Sequence, residues 1–486
     1  MATSAAATAF VRAFSDPGGI QRRGEYESRQ AHYLHLWHLY QNTKFDNAAT
    51  WERYKADHHL YRYIRGLYNP TRRLVDFYAG IIYPGALTAD AKRLPDHSQI
   101  AIPLAEDTPP ELVEAVGQLW QWSNWQAGKS LLPRYGAALG NVFVEIVDDI
   151  EGGKVRAEIV WPGLVDELEL DAVGNVKAYA IEYDAETPDG QQYTYRREVD
   201  REAIRTYRDG SPTSYDGQPP EYPNPYGFAP AVWIPHTYTG GDHGEPAMRN
   251  IGKFDEINGI LSSASDHLMR VLNAPIIVAG GGNIATATTG GKGGSSADAD
   301  PTAADREKLK ILQAPLGAEI RSIAPQGVEE VILYADRLIR EIEDDHPELT
   351  MYKELRAMSQ VTGPGAERML GDAATYIQDA RGNYDAHSTK LFQMAVAVGG
   401  FRASSGAWGR QLTSQQRSFA PFGLDSYRRG ELDLDILPRP IVPETPRERI
   451  ERERMEQALE ADRAGGPGGQ IAGIQARLEA MAGANR

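Results

Sequence analysis

The stretch PAMRNIGKFDEINGILSSASDHLMRVL, residues 246–272, decides the fold once it is set beside VEEVILYADRLIREIEDD, residues 328–345. In the first, Ile251, Phe254, Ile257, Leu261, Ala264, Leu268 and Leu272 recur three or four residues apart, the spacing of one stripe on an amphipathic helix. A helix is therefore expected over 246–272, with Pro246 in its first turn. In the second, Val328, Val331, Ile332, Ala335, Leu338, Ile339 and Ile342 face one way. Glu329, Glu330, Asp336, Arg337, Arg340, Glu341 and Glu343 face the other. This predicts a helix over 327–345, which Pro347 stops because proline disfavours helical geometry at the residue before it and donates no ladder hydrogen bond.

Between the two helices, 280–301 is almost wholly Gly, Ser, Thr, Ala and Asp, a flexible composition. Residues 276–279, 308–313 and 318–323 read as short strands, so 273–326 is expected to form a small αβ insert. A third helix restarts at Thr362-Gly363-Pro364. Its stripe is Met369, Leu370, Ala373, Ile377, Ala380, Tyr384, Leu391, Ala395 and Val398.

Upstream, 25–66 is an aromatic-rich helical region after a small, polar, frayed stretch over 1–24, and 71–83 and 110–139 read as helices. From Asn141 the period changes from helical to two. Val142, Val144 and Ile146 alternate, then Val155, Ala157 and Ile159, then 176–183 and 191–197, with turn signals between. One antiparallel meander is expected, closed by 203–208 and 231–236, with 209–226 as a surface excursion. Past Val398, Phe401, Trp408, Phe419, Phe422 and Tyr427 fall in loops and short helices. Residues 432–442 read as extended and 444–463 as a charged helix.

The chain has 486 residues, enough for two to four domains, and 41% hydrophobic content permits sizeable cores. It has no cysteine, so disulfides, thiolate metal sites and cysteine nucleophiles are excluded. No run of 18 apolar residues occurs, which speaks against a membrane span, and no secretory leader is read at the N-terminus. The net charge of −16 disfavours a protein that grips phosphates tightly, and suits a wall past which a polyanion slides. His32, His35, His38, His58 and His59, and separately His236, Asp242, His243 and Glu245, are candidate metal ligands by type but not by spacing, so no metal is expected. Gly128-Lys129-Ser130 imitates a phosphate loop, yet Ser123 stands where glycine is required. GxSxG and HExxH are absent, and pairs such as Asp148 and Asp149 are common in an acidic chain, so no catalytic residue and no cofactor is assigned.

The order of these segments resembles the portal proteins of tailed bacteriophages. The likeness runs through Leu67-Tyr68-Asn69-Pro70 and Arg72-Arg73-Leu74-Val75-Asp76-Phe77-Tyr78, then Gly227-Phe228-Ala229-Pro230, Trp233-Ile234-Pro235-His236 and Gly244-Glu245-Pro246. It continues in Asp255-Glu256-Ile257-Asn258, Ala274-Pro275-Ile276-Ile277-Val278-Ala279-Gly280 and TGPGAERML at 362–370. The resemblance implies an α+β subunit. Its wing is a mainly helical part plus β meander over 25–245, its stem helices are 246–272 and 327–345, and its clip is 273–326. It further implies a tunnel loop over 346–361, a long wing helix over 362–399, and a short helical crown with a C-terminal tail over 400–486.

What such a protein does follows from the resemblance alone. Portal subunits form a homo-oligomeric ring, commonly a dodecamer, at one capsid vertex. Double-stranded DNA is packaged and ejected through it. The ring meets the large terminase, head-completion or adaptor proteins, and the major capsid and scaffolding proteins, in the host cytoplasm during assembly and then in the virion. Lys353 and Arg356, in the tunnel-loop segment, are the expected DNA-contacting residues. The competing readings are another structural virion protein, an adaptor or capsid-associated subunit, and behind it a hydrolase.

Overall fold

The computed structural model describes residues 22–43, 68–87, 100–215, 217–272, 276–279, 311–314, 328–349, 371–439 and 441, with Ile450, Arg454, Met455 and Gln457. Helices and antiparallel sheets are mixed, as an α+β reading requires. Contacts divide the chain into two units, one of residues 1–43, 70–249 and 346–486, the other of 44–69 and 250–345.

The larger unit begins with α1 (Arg22–Gln41) and α2 (Thr71–Ile82), followed by α3 (Pro110–Trp122), α4 (Trp125–Gly128) and α5 (Leu131–Leu139). The helix expected over 110–139 is thus interrupted, because Asn124 takes a left-handed backbone with φ 51°. The break turns Trp125 into the core, where its Nε1 donates to the Ala157 carbonyl at 3.2 Å and its ring meets Phe392 edge-on. Gly140, at φ 90°, closes α5 and starts β1 (Asn141–Asp149). A Cβ there would sit 2.4 Å from the Gly244 carbonyl oxygen, so both the backbone angle and the space demand glycine.

The single meander is corrected to two sheets. β1 lies between β2 (Lys154–Val160) and β9 (Ala231–Pro235) in a three-stranded sheet. The second sheet runs β3 (Val165–Leu170), β4 (Val176–Glu186), β5 (Gln192–Val199), β6 (Ala203–Arg208) and β7 (Ser211–Pro212), with β8 (Glu221–Pro223) also on β6. The reason lies in β1 itself. Val142, Phe143, Val144, Glu145 and Ile146 are all buried, so both faces are covered and both edges need a partner. β2 supplies one edge and β9 returns from far along the chain to supply the other.

The sheets pack face to face over Phe143 and Trp233 from one and Val165, Leu168, Tyr179, Ile181 and Val199 from the other. Glu145 is the polar exception inside this layer. Its carboxylate accepts from Arg197 at 2.5 Å and from the Tyr179 hydroxyl at 2.6 Å, which satisfies the buried charge. Burial, and next the Glu145 charge, push the Tyr179 phenol well above its ordinary value. The 209–226 segment is also better anchored than a surface excursion. β7 and β8 pair with β6, and buried Tyr226 hydrogen-bonds Asp148, which also accepts from Arg402 Nε at 2.5 Å.

The far face of the three-stranded sheet is covered by helices, chiefly α8 (Gly371–Ser405). Its predicted stripe is buried at every described position, Ala373, Ile377, Ala380, Tyr384, Leu391, Ala395 and Val398, while Met369 and Leu370 lie outside the described residues. The helix does not end at 399 but continues to Ser405, and Phe401 belongs to it. After it come α9 (Ser414–Arg417), with a Thr413–Gln416 capping box, and α10 (Leu424–Arg428). This segment, read from the sequence as part of a crown, packs on the same unit. Trp122 and Phe419 stack at 5.2 Å, and the Ala105 N–H donates to the Asp435 carbonyl at 2.8 Å. The extended 432–442 stretch and the 444–463 helix are described only in part.

The smaller unit contains α6 (Gly252–Leu272), β10 (Ile276–Ala279), β11 (Ile311–Ala314) and α7 (Val328–Asp345). α6 starts at Gly252 rather than 246 because Asn250 sits at φ 56°, and the residues before it bond elsewhere. The Glu245 N–H donates to the Thr237 carbonyl at 3.0 Å and the Ala247 N–H to the Ala137 carbonyl at 2.9 Å. β10 and β11 pair in parallel, Ile276 with Ile311 and Ala279 with Ala314. The expected strand over 318–323 and the glycine-rich 280–301 lie outside the described residues. Among the described residues no helix is long and apolar enough to cross a membrane.

Candidate functional site

The two amphipathic helices form an antiparallel pair in the smaller unit. Asn250 Nδ2, just before α6, reaches Asp345 Oδ2 at 2.7 Å, at the end of α7, and Lys253 Nζ lies 3.1 Å from the same oxygen. Farther along, Tyr334 donates to Glu256 at 3.2 Å. The seam buries Phe254, Ile257, Asn258 and Ser262 of α6, and Ala335, Leu338 and Ile342 of α7. Asn258 anchors a neighbouring stretch of chain, its Oδ1 accepting from the Tyr68 N–H at 2.6 Å, while Tyr68 meets Phe254 edge-on at 6.2 Å.

The first two turns of α7 behave differently. Glu329 and Glu330 are exposed, and so are Val331 at 38%, Ile332 at 41%, Leu333 at 60% and Tyr334 at 47%. The helical pattern predicts one buried stripe containing Val331 and Ile332, and the isolated chain leaves both open. Leu333 and Tyr334 lie off that stripe. Their signal is the run Val-Ile-Leu-Tyr itself, because four successive helical positions sweep about 300° around the axis. No single neighbouring helix can cover such an arc. Apolar side chains exposed around most of a helix end are the mark of a contact surface.

In the larger unit, the chain leaves at Arg249 and returns at His346, and the Arg249 N–H donates to His346 Nε2 at 3.0 Å. Beside this crossing Tyr78 donates to buried Glu348 at 2.6 Å, and its ring meets His236 edge-on at 4.6 Å. His236 Nδ1 pairs with the Tyr384 hydroxyl at 3.1 Å. Burial, with the Arg249 charge adding, lowers the His236 imidazole to about 3. His236 is therefore neutral in the folded protein over the physiological range. The unfolded chain takes up a proton near pH 6.5 that the folded chain refuses until about pH 3, so stability is full above pH 6.5 and is lost as pH falls below it. Acidification from pH 7 to pH 5 is expected to cost about 2 kcal/mol through this residue, read as a fall in thermal midpoint, and His236→Gln is expected to flatten that slope.

Lys353 and Arg356 lie outside the described residues. His346, Glu348 and Leu349, at the start of the expected tunnel loop, are buried in the larger unit's packing. His236 and His243 do not converge on a metal site. His243 is buried edge-on against Trp233 at 5.5 Å, and burial lowers it well below its ordinary value. His38 Nδ1 pairs with Thr43 Oγ1 at 2.8 Å, whereas His58 and His59 lie outside the described residues. Among the described residues no group of three or more histidine or carboxylate side chains could hold a metal ion.

No protein-family model matches the chain, and no curated protein matches it.

Proposed function

We propose that the chain is the subunit of a portal-type ring, a channel at one capsid vertex through which double-stranded DNA is packaged and ejected. The observation that carries the reading is the open apolar end of α7, Val331 to Tyr334, on a helical pair whose other end is sealed within the chain. In this reading a second copy supplies the missing cover through a heterologous contact, which gives a ring when its rotation closes. The overall charge of −16 supports a wall that repels phosphates, and Lys353 and Arg356 are assigned to touch the passing duplex. Terminase, head-completion or adaptor proteins and the capsid and scaffolding proteins are the partners of such a ring. It assembles in the host cytoplasm and ends in the virion.

The buried titratable groups fit a scaffold. Glu145 with Arg197, Asp148 with Arg402 and Asp385 with Arg439 are ion pairs that tie separate elements together. Negative-stain imaging of the purified protein tests the proposal directly. A ring with an axial hole is expected, and a compact single-copy particle at every concentration would overturn it.

DNA binding supplies a separate check. Weak affinity for a random duplex is expected, with a shallow salt dependence, since each neutralised phosphate adds about one unit of slope. Lys353→Ala with Arg356→Ala should weaken it further. Tight binding that collapses steeply with salt would contradict an acidic conduit.

A further inference from the structure

The larger unit contains a cavity of about 330 Å³ that the ring reading leaves unused. This volume is at the small end of the range for small-molecule sites, about 300–1,000 Å³. Its deep part is apolar and comes from three elements. Val176 of β4, Val232 of β9 and Met394 of α8 are each less than a tenth exposed, and Phe228, Ala229, Ala231 and Tyr427 also line it. Its outer part is cationic, with Lys177, Arg201 and Lys390. The lining thus carries three cations against one acid, Asp171, although the whole chain has a net charge of −16.

Two carboxylates stand near this rim, and neither forms a close, buried ion pair with it: the Asp171 charge acts on Lys390 from beyond contact distance, and Glu169 faces Lys177. Asp171, the one acid among the described lining residues, spends its oxygens on its own turn, accepting from the Val173 and Asn175 N–H groups at 2.9 and 2.8 Å and from Asn175 Nδ2 at 2.7 Å. Lys177 reaches Glu169 at 3.6 Å but remains 55% exposed, where such a pair is weak. Among the described residues neither Arg201 nor Lys390 has a carboxylate within salt-bridge distance. His387 is a further polar lining group. Its Nδ1 donates to the Asn383 carbonyl at 2.7 Å, which leaves Nε2 as an acceptor. Burial lowers its pKa, against the opposing Asn383 hydrogen bond and with Lys390 adding, so the neutral ring is favoured beside the rim.

We propose that this cavity binds a small organic anion, an aromatic or branched apolar body seated on Val176, Val232 and Met394 with one carboxylate or phosphate held by Arg201 and Lys390. The apolar floor supplies affinity and the cations supply orientation, the usual division of labour in a small-molecule pocket. The cavity lies wholly within one unit, so its occupancy does not depend on ring formation.

The probe is 2-naphthoate, followed by calorimetric titration into the full chain, with uncharged 2-naphthylmethanol as the comparison. Saturable one-to-one binding of naphthoate, at least about tenfold tighter than the alcohol and weakened by salt, is expected. Arg201→Ala with Lys390→Ala should remove that preference while leaving the thermal midpoint unchanged, because both side chains are unbridged. Val331→Asp with Leu333→Asp should leave it intact, which separates failure of this site from failure of the ring reading. Absence of saturable binding at millimolar naphthoate, equal affinity for the alcohol, or an unaltered preference in the double variant would overturn the proposal.

Discussion

If the proposed ring forms, Val331→Asp combined with Leu333→Asp is expected to convert it into a folded single-copy chain, read as a collapse of native mass from a many-subunit particle to 53.5 kDa. The two side chains are 38% and 60% exposed in the isolated chain, so the substitutions remove little packing within it. Changes at such surface positions usually stay within about 0.5 kcal/mol of neutral. In a ring the same positions are covered. Each substitution then forfeits about 1 kcal/mol of apolar burial and places a carboxylate where its charge has no partner, at a cost of several kcal/mol. Two such losses at every interface lower association by more than about a thousandfold. Retained helical circular dichroism with reduced mass is the expected pair of results. An unchanged particle mass would show that the first turns of α7 are not the contact.

The second large effect is a contrast within α8. Gly400→Ala is expected to destabilise the chain by about 3 kcal/mol, whereas Gly382→Ala is expected to stabilise it by about 0.5–1 kcal/mol. At Gly400 a Cβ would lie 1.6 Å from the Phe422 carbonyl oxygen and 2.8 Å from that of Phe419, so backbone must move to admit it. At Gly382 nothing lies within 4 Å of the same atom, and alanine gains helix propensity without a clash. Thermal unfolding of the two variants beside the parent measures both. Equal shifts would contradict the close approach of the 419–422 turn to α8.

Much of the fold is legible locally. The stripe from Ala373 to Val398 announces α8, and the spacing of Phe254, Ile257 and Ala264 announces α6, because helical periodicity is written in neighbouring residues. Boundaries are less so. α6 begins at Gly252 because Asn250 adopts a left-handed backbone and the N–H groups of Glu245, Ala247 and Arg249 bond to Thr237, Ala137 and His346, which no local pattern encodes. The candidate surface is half legible. The pattern marks Val331 and Ile332 as apolar, but only the packed pair shows that α6 covers the Ala335, Leu338 and Ile342 end and leaves the other open.

Residue order by itself determined which segments are helix or strand and which of their faces avoid water, since those are properties of spacing. Tertiary structure alone decided what covers each face. It sent β9 to the free edge of β1, turned Trp125 inward at Asn124, brought His236 against Tyr384, and left Val331 to Tyr334 uncovered. The physical reason is that apolar burial is non-directional. A buried face needs a partner, but which partner depends on how far the chain must loop to bring it and on how much surface the finished packing removes from water.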